Sequence, residues 1–313
     1  MKGSVKSQLK QAIPSLAIII VMIIVASVSS DKFLRAANLR NILTQTSALA
    51  AVALAQSMVL FIGGIDMSVG SIISLGTIIM ALTSGDSFFS LVLALCLVMI
   101  AGAIVGMING IGVVVFNIPA MIITISTQVL IKGICLILMP SSGGTVNKAF
   151  VKLMKTRFGI FTTIFIVVVL MYVLGYIIMH YTRLGRSIYA IGNNETYAEQ
   201  SGINTKKLIT KVYIITGIIA AIAGIILSVR LSTGNALVGD AYSMDSVTAA
   251  VVGGISMNGG IGTVIGALFG AIVLSLINNI MNNLGISPYF QYIIKGTLLM
   301  VSLMLFQLKR RKK

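Results

Sequence analysis

Residues 160–179 read IFTTIFIVVVLMYVLGYIIM, twenty positions without a charged side chain. At about 1.5 Å rise per residue, such a run spans the roughly 30 Å hydrocarbon core of a bilayer as a helix. Ile13–Val28 is a second nearly continuous apolar block. A transmembrane barrel needs short strands that alternate apolar and polar positions, and neither block alternates, so both predict helix. Working outward, apolar runs fall at 13–30, 42–62, 67–83, 88–114, 119–138, 160–179, 208–229, 247–258, 262–283 and 289–308. With 57% hydrophobic residues and a mean hydropathy of +1.04, the expected fold class is all-α: a polytopic transmembrane bundle of about ten segments in one domain, 1–313. The run at 247–258 is too short to cross unaided. It is half a helix, or part of a longer one that starts near Tyr242, and the parity of the topology hangs on it.

Charge orients the bundle. If all ten segments cross, the amino terminus, the 182–211 loop and the Lys309–Lys313 tail share a side, carrying thirteen Lys and Arg against eight in the opposite loops. The excess of cations marks the cytoplasmic face, although Thr145–Arg157 opposes it with four cations and no acid. Lys2, Lys6 and Lys10 before the first run resemble a signal n-region. No small-residue cleavage site follows, so that run is read as a retained signal anchor. The net charge of +16 lies in loops and tails rather than on a face interleaved with aromatics, which excludes nucleic acid as a partner and fits anionic lipid. Cys96 and Cys135 are read as free, small core hydrophobes.

Catalytic machinery is missing. The sequence has no phosphate-binding loop, no H-E-x-x-H and no G-x-S-x-G, and its one histidine, His180, sits at a membrane edge. The expectation is therefore no catalytic residue, no metal site and no cofactor bound by this chain. Asp66 is read as the only acid at depth, with three roles open: capping the next helix, lining a pathway, or coupling protons. Lys132 and Lys295 are read as snorkelling cations. Neutral amides in the spans, Asn109 among them, suit either helix-to-helix hydrogen bonds or a hydroxyl-rich solute.

Two hexapeptides match, 190 positions apart: Gly63-Gly64-Ile65-Asp66-Met67-Ser68 and Gly253-Gly254-Ile255-Ser256-Met257-Asn258. They hint at an internal duplication, in parallel orientation at these joints. Gly63, Gly64, Asp66, Ser68, Asn109, Gly253, Gly254 and Asn258 are the candidate helix-joint or pathway residues. Gly102, Gly106 and Gly110, and likewise Gly262, Gly266 and Gly270, recur every four residues and predict close helix packing.

The polar stretch Thr182–Lys211 reads TRLGRSIYAIGNNETYAEQSGINTKKLITK, in a chain where only 10% of residues are charged. Asn193 or Asn194 caps a short helix near Glu195–Ser201, and Gly202 fits the left-handed position that ends it. A rigid element of Asn193, Asn194, Glu195, Thr196, Tyr197, Ala198, Glu199, Gln200, Ser201 and Gly202 outside the bilayer suits docking of a partner. The flanking Arg and Lys are topology anchors.

From about Asn38 onward the chain resembles the permease subunits of ATP-binding-cassette sugar importers, of the ribose, xylose and galactose type. The resemblance rests on Gly63–Ser71, on Asn117-Ile118-Pro119-Ala120, and on Thr182–Arg186 with Ala190–Glu195. It rests further on Ser201–Asn204 and Val252–Gly260, all in the same order. It implies a non-enzymatic, multi-pass subunit of the bacterial cytoplasmic membrane that works as a homodimer. It further implies an ATPase subunit that holds ATP and Mg and is docked on 193–202, and an extracytoplasmic binding protein that delivers the sugar. Related permeases carry nucleosides or branched-chain amino acids, and a self-sufficient proton-coupled carrier using Asp66 is the reading from a different class.

Overall fold

The computed structural model describes residues 5–29 and 33–311, and among these it forms thirteen α-helices and one two-stranded hairpin. Lys2, Lys32, Lys312 and Lys313 of the charge argument lie outside the described residues. The helices are α1 (Val5–Ser29), α2 (Ala36–Phe61), α3 (Val69–Thr83), α4 (Phe88–Val114), α5 (Ala120–Leu138), α6 (Lys148–Met154) and α7 (Thr163–Tyr181). They continue as α8 (Arg183–Asn193), α9 (Glu195–Gln200), α10 (Thr205–Leu231), α11 (Asp240–Val252), α12 (Val264–Asn283) and α13 (Pro288–Arg311). The hairpin pairs β1 (Arg157–Phe158) with β2 (Phe161–Thr162), a small departure from the all-α expectation. Each of the ten apolar runs falls on its own helix. Six of these helices, α2, α4, α5, α7, α10 and α12, are long and apolar enough to cross a membrane.

α2 and α10 form the buried axis, and their composition explains why. Ala48, Ala50, Ala51, Ala53 and Ala55 on α2, and Ala220, Ala221 and Ala223 on α10, are all buried. Small side chains let neighbouring backbones approach, which is where helix association in lipid gains its dispersion energy. Gly102 and Gly106 of α4 pack on the backbone of Gly217 and Tyr213 of α10, so this glycine stripe serves packing within the chain. In the second trio, Gly266 and Gly270 press on Gly253 and Ala249 at the end of α11. Gly262 instead lies before α12 with φ 125°.

α8 and α9 mark one end of the bundle, called lower here, and α6 with the hairpin marks the upper end. Lys148, Lys152 and Lys155, the cations that opposed the charge count, belong to α6 and its C-cap. Lys155 Nζ donates to the Arg230 carbonyl at 3.3 Å and to Ser232 Oγ at 3.2 Å, placing positive charge on the C-terminus of α10.

The short segment resolves as a helix that starts earlier, at Asp240, and stops at Val252. Before it, residues 232–239 descend along α3 without helical structure. Thr77 Oγ1 donates to the Asn235 carbonyl at 3.3 Å and accepts from Asn235 N at 3.2 Å, and Ser74 Oγ accepts from Gly239 N at 2.9 Å. Irregular backbone survives at membrane depth only when neighbours satisfy it, and the hydroxyl stripe of α3 does so. Ser74 lies nine residues before Thr83, so α11 begins about 13 Å below the upper end of α3.

This arrangement corrects two sequence expectations. Asp66 is not the only acid at depth, and Lys132 and Lys295 do not snorkel. Lys132 on α5 pairs with Asp240 at 2.6 Å, and Lys295 on α13 pairs with Asp245 at 2.8 Å. A segment starting at 247 leaves both acids in a loop, and one starting near Tyr242 brings in Asp245 alone. Neither shows the lysines an intramembrane partner, because the pairing depends on how α5 and α13 pack on α11.

Candidate coupling site

The polar stretch folds into two helices, one of which the sequence reading missed. Thr182 caps α8, accepting from Gly185 N at 3.4 Å, and Leu184, Ile188 and Ile191 turn one face inward, the latter two buried. That amphipathic spacing was present in the sequence, masked by Arg183, Arg186 and the glycines. α9 follows at once. Asn194 rather than Asn193 caps it, its Oδ1 accepting from Tyr197 N at 3.1 Å, while Asn193 Nδ2 donates back to the Tyr189 carbonyl at 2.8 Å.

Gly202 ends α9 with φ 82°, its N–H reaching the Glu199 carbonyl at 2.9 Å and that of Ile203 reaching Ala198 at 3.1 Å. Ala198 is the buried residue of α9. Glu195, Thr196, Tyr197, Glu199, Gln200 and Ser201 are exposed on its outer surface. Thr205 Oγ1 donates to Glu199 Oε1 at 2.5 Å, tying α9 to the start of α10.

Two glycine turns meet the end of α8. Gly63 N bonds Leu60 O at 2.9 Å and Gly64 N bonds Val59 O at 3.0 Å; Gly254 N bonds Val251 O at 2.9 Å and Ile255 N bonds Ala250 O at 3.0 Å. The hydrogen-bond pattern is the same, but the left-handed residue is Gly63 in one and Gly254 in the other, one position out of the sequence match. The turns touch: Gly260 N donates to the Phe61 carbonyl at 3.0 Å. Gly192 of α8 sits on that contact, where an added Cβ would collide with Phe61 O and Gly260 N. Beside it the Tyr189 ring lies 5.0 Å from that of Phe61, and Tyr189 Oη donates to the Gly262 carbonyl at 2.9 Å. Burial raises the Tyr189 phenol above its ordinary range, so it remains a donor at neutral pH.

The first turn is anchored in the bundle. Asp66, fully buried, accepts from Ser68 N at 2.8 Å and Ser68 Oγ at 2.6 Å through Oδ1. Asn109 Nδ2 donates to Ser68 Oγ at 2.9 Å, and Thr127 Oγ1 to Asn109 Oδ1 at 2.7 Å. Gln56, with its amide oriented to satisfy both atoms, spans the Asp66 backbone at 2.8 and 3.2 Å. Ser243 Oγ reaches the Met67 carbonyl at 2.8 Å. Asn258, by contrast, is exposed, and its main-chain carbonyl faces Gly63. The structure thus gathers Gly63, Gly64, Gly253, Gly254 and Asn258 near the lower end, and groups Asp66, Ser68 and Asn109 above them. Among the described residues no cluster of three or more His, Cys, Asp or Glu is placed to hold a metal.

A family described as branched-chain amino acid transport system / permease component matches residues 38–303. The chain belongs to this family. It is 34% identical to the ribose import permease protein RbsC of Escherichia coli over 298 residues, covering 93% of this chain and 92% of that one. It is 32% identical to the galactose/methyl galactoside import permease protein MglC of Haemophilus influenzae, covering 97% and 96%. With the RbsC of Bacillus subtilis it shares 34% identity, covering 91% and 89%. No solved structure matches the chain. The permease is accordingly a multi-pass protein of the bacterial cytoplasmic membrane and a transport subunit rather than an enzyme.

Proposed function

We propose that this permease conducts ribose or a similar monosaccharide inward, driven by a separate ATPase subunit that holds ATP and Mg and docks on α9. The upper end receives the sugar from an extracytoplasmic binding protein, the lower end faces the cytoplasm, and two copies embedded in lipid enclose the path. The names of the curated relatives support the solute class. The observation that carries the coupling role is the seat of Gly192: the helix adjoining α9 rests on the contact between the two glycine turns. Pressure on α9 therefore reaches both turns without crossing a flexible linker.

The turns respond differently in this reading. Asp66, Ser68 and Asn109 hold the first turn and α3 in place, while the second turn, tied to α8 by Tyr189, moves with it. Gly63, Gly64, Gly253, Gly254 and Asn258 act as helix joints rather than as solute ligands.

The test is ATP-dependent uptake in proteoliposomes holding this chain, its ATPase and its binding protein, screened with labelled pentoses, hexoses and nucleosides. Monosaccharide uptake is expected, abolished when Glu195–Ser201 is deleted while the chain stays in the membrane. Uptake of nucleosides alone would move the permease to another solute class. Uptake driven by a pH gradient with this chain alone would replace the proposal with a proton-coupled carrier, and normal uptake by the deletion variant would remove α9 from the coupling route.

A further inference from the structure

One short helix carries two ion pairs of opposite character. Asp245 and Lys295 are sealed, their side chains each 13% exposed, whereas Lys132 and Asp240 are 38% and 37% exposed. Both lie in the membrane-spanning part of the bundle, Asp240 next to Gly239, which hydrogen bonds Ser74 well below the upper end of α3. A charge pair open to hydrocarbon is strongly disfavoured, and ionisable groups at this depth face protein or water. The sealed pair meets that condition within the chain; the open pair does not.

The open pair also has unused valences. Lys132 Nζ makes one described bond, to Asp240 Oδ2 at 2.6 Å, leaving two N–H donors, and Asp240 Oδ1 has no described partner. Around it the backbone is unwound at 232–239, and Asn235 Nδ2 donates to Ser142 Oγ at 2.6 Å nearer the upper end. Gln128 stands one helical turn below Lys132 on α5. A polar strip therefore runs down an otherwise apolar surface, past Leu136, Leu237 and Met244, all exposed.

We propose that Lys132 and Asp240 form a solute-contact site on the aqueous path, and that the ligand is a neutral polyhydroxylated molecule. This inference rests on the transport reading above. A carboxylate oxygen accepts from one hydroxyl while the ammonium donates to its neighbour, so a vicinal diol engages both groups without breaking the pair. Because the charges already satisfy each other, binding is weak, as release into the next compartment requires. A free carboxylate or phosphate gains little from a lysine that is already neutralised. Lys295 and Asp245, by contrast, hold α11 to α13.

The test uses the complete importer in proteoliposomes, in a background with Cys96→Ala and Cys135→Ala. Asp240→Cys, Asp245→Cys and, as a substitution that leaves the pair intact, Leu136→Cys are treated with a charged, membrane-impermeant methanethiosulfonate. Cysteine at 240 and at 136 is expected to react about tenfold or more faster than at 245, and saturating ribose with its binding protein is expected to slow it several-fold. The exchange Lys132→Asp with Asp240→Lys keeps the attraction but reverses donors and acceptors, so uptake is expected to fall about tenfold at unchanged chain level.

Reaction at 240 and 136 no faster than at 245 would mean that lipid or the second copy seals the pair, and would overturn the proposal. So would reaction that no sugar slows, or an exchanged pair that transports like its parent. Uptake by the cysteine-free background is scored separately. If it takes up monosaccharide while the pair is sealed, only this inference fails; if it shows no ATP-driven uptake of any solute, the transport reading fails.

Discussion

The two glycine turns share a backbone fold but differ in what holds them. Around the first, Asp66, Ser68, Asn109, Thr127 and Gln56 form a chain of side-chain hydrogen bonds that ties it to α2, α4 and α5. Around the second, Gly254, Gly259, Gly260 and Gly262 all adopt positive φ, and contacts are largely backbone to backbone. From α8, Tyr189 reaches in with a hydrogen bond to the Gly262 carbonyl, and the Asn193 side chain lies against Gly260. A segment rich in glycine and poor in side-chain bonds opens at low free-energy cost. In the proposed coupling the same turn geometry makes a fixed point in one place and a hinge in the other, the hinge being the turn that Tyr189 ties to α8.

Substitutions can break this contrast, beginning with the largest effect. Gly192→Val drives a branched side chain between Phe61 and Gly260. Overpacking of about 3 kcal/mol at this contact is expected to lower ATP-dependent uptake about a hundredfold, measured against chain level in the membrane. Asp66→Ala removes two bonds to Ser68. It is expected to cost about 3 kcal/mol, read as a lower Tm in detergent, and to loosen α3 rather than α8. Gly260→Ala forces a side chain to φ 71°. Its cost is about 1–2 kcal/mol, with the loss in uptake expected to exceed the loss in Tm because the strain falls on the turn proposed to move. Tyr189→Phe removes the bond to Gly262 but keeps the ring against Phe61. It costs about 1 kcal/mol, and uptake is expected to fall a few-fold with Tm nearly unchanged.

Much of this was legible from local sequence. The apolar runs located ten helices because span length is set by the bilayer rather than by neighbours. Asn193 or Asn194 at the start and Gly202 at the end delimited α9 because caps are local chemistry, and the structure assigns the cap to Asn194. α8 was missed because Arg183, Arg186, Gly185 and Gly192 obscured Leu184, Ile188 and Ile191. Of the two readings of the short segment, the longer helix starting near Tyr242 lies close to the observed start at Asp240. What the sequence hid was the pairing of Asp240 and Asp245 with Lys132 and Lys295, which arrive from α5 and α13. No pattern in the sequence announced that turns 190 positions apart touch each other and Gly192. The matching hexapeptides pointed to both turns, yet their structural register is shifted by one residue, and the longer connection after Gly254 is where the two diverge.

In the proposed coupling, α9 drives one turn and leaves the other still. Amide hydrogen exchange of the assembled importer, compared without nucleotide and with a trapped ATP state, measures this directly. Exchange is predicted to change within 253–263 and in α8 while 62–68 stays protected to the same degree. An equal change in both turns, or a change confined to 62–68, would contradict it.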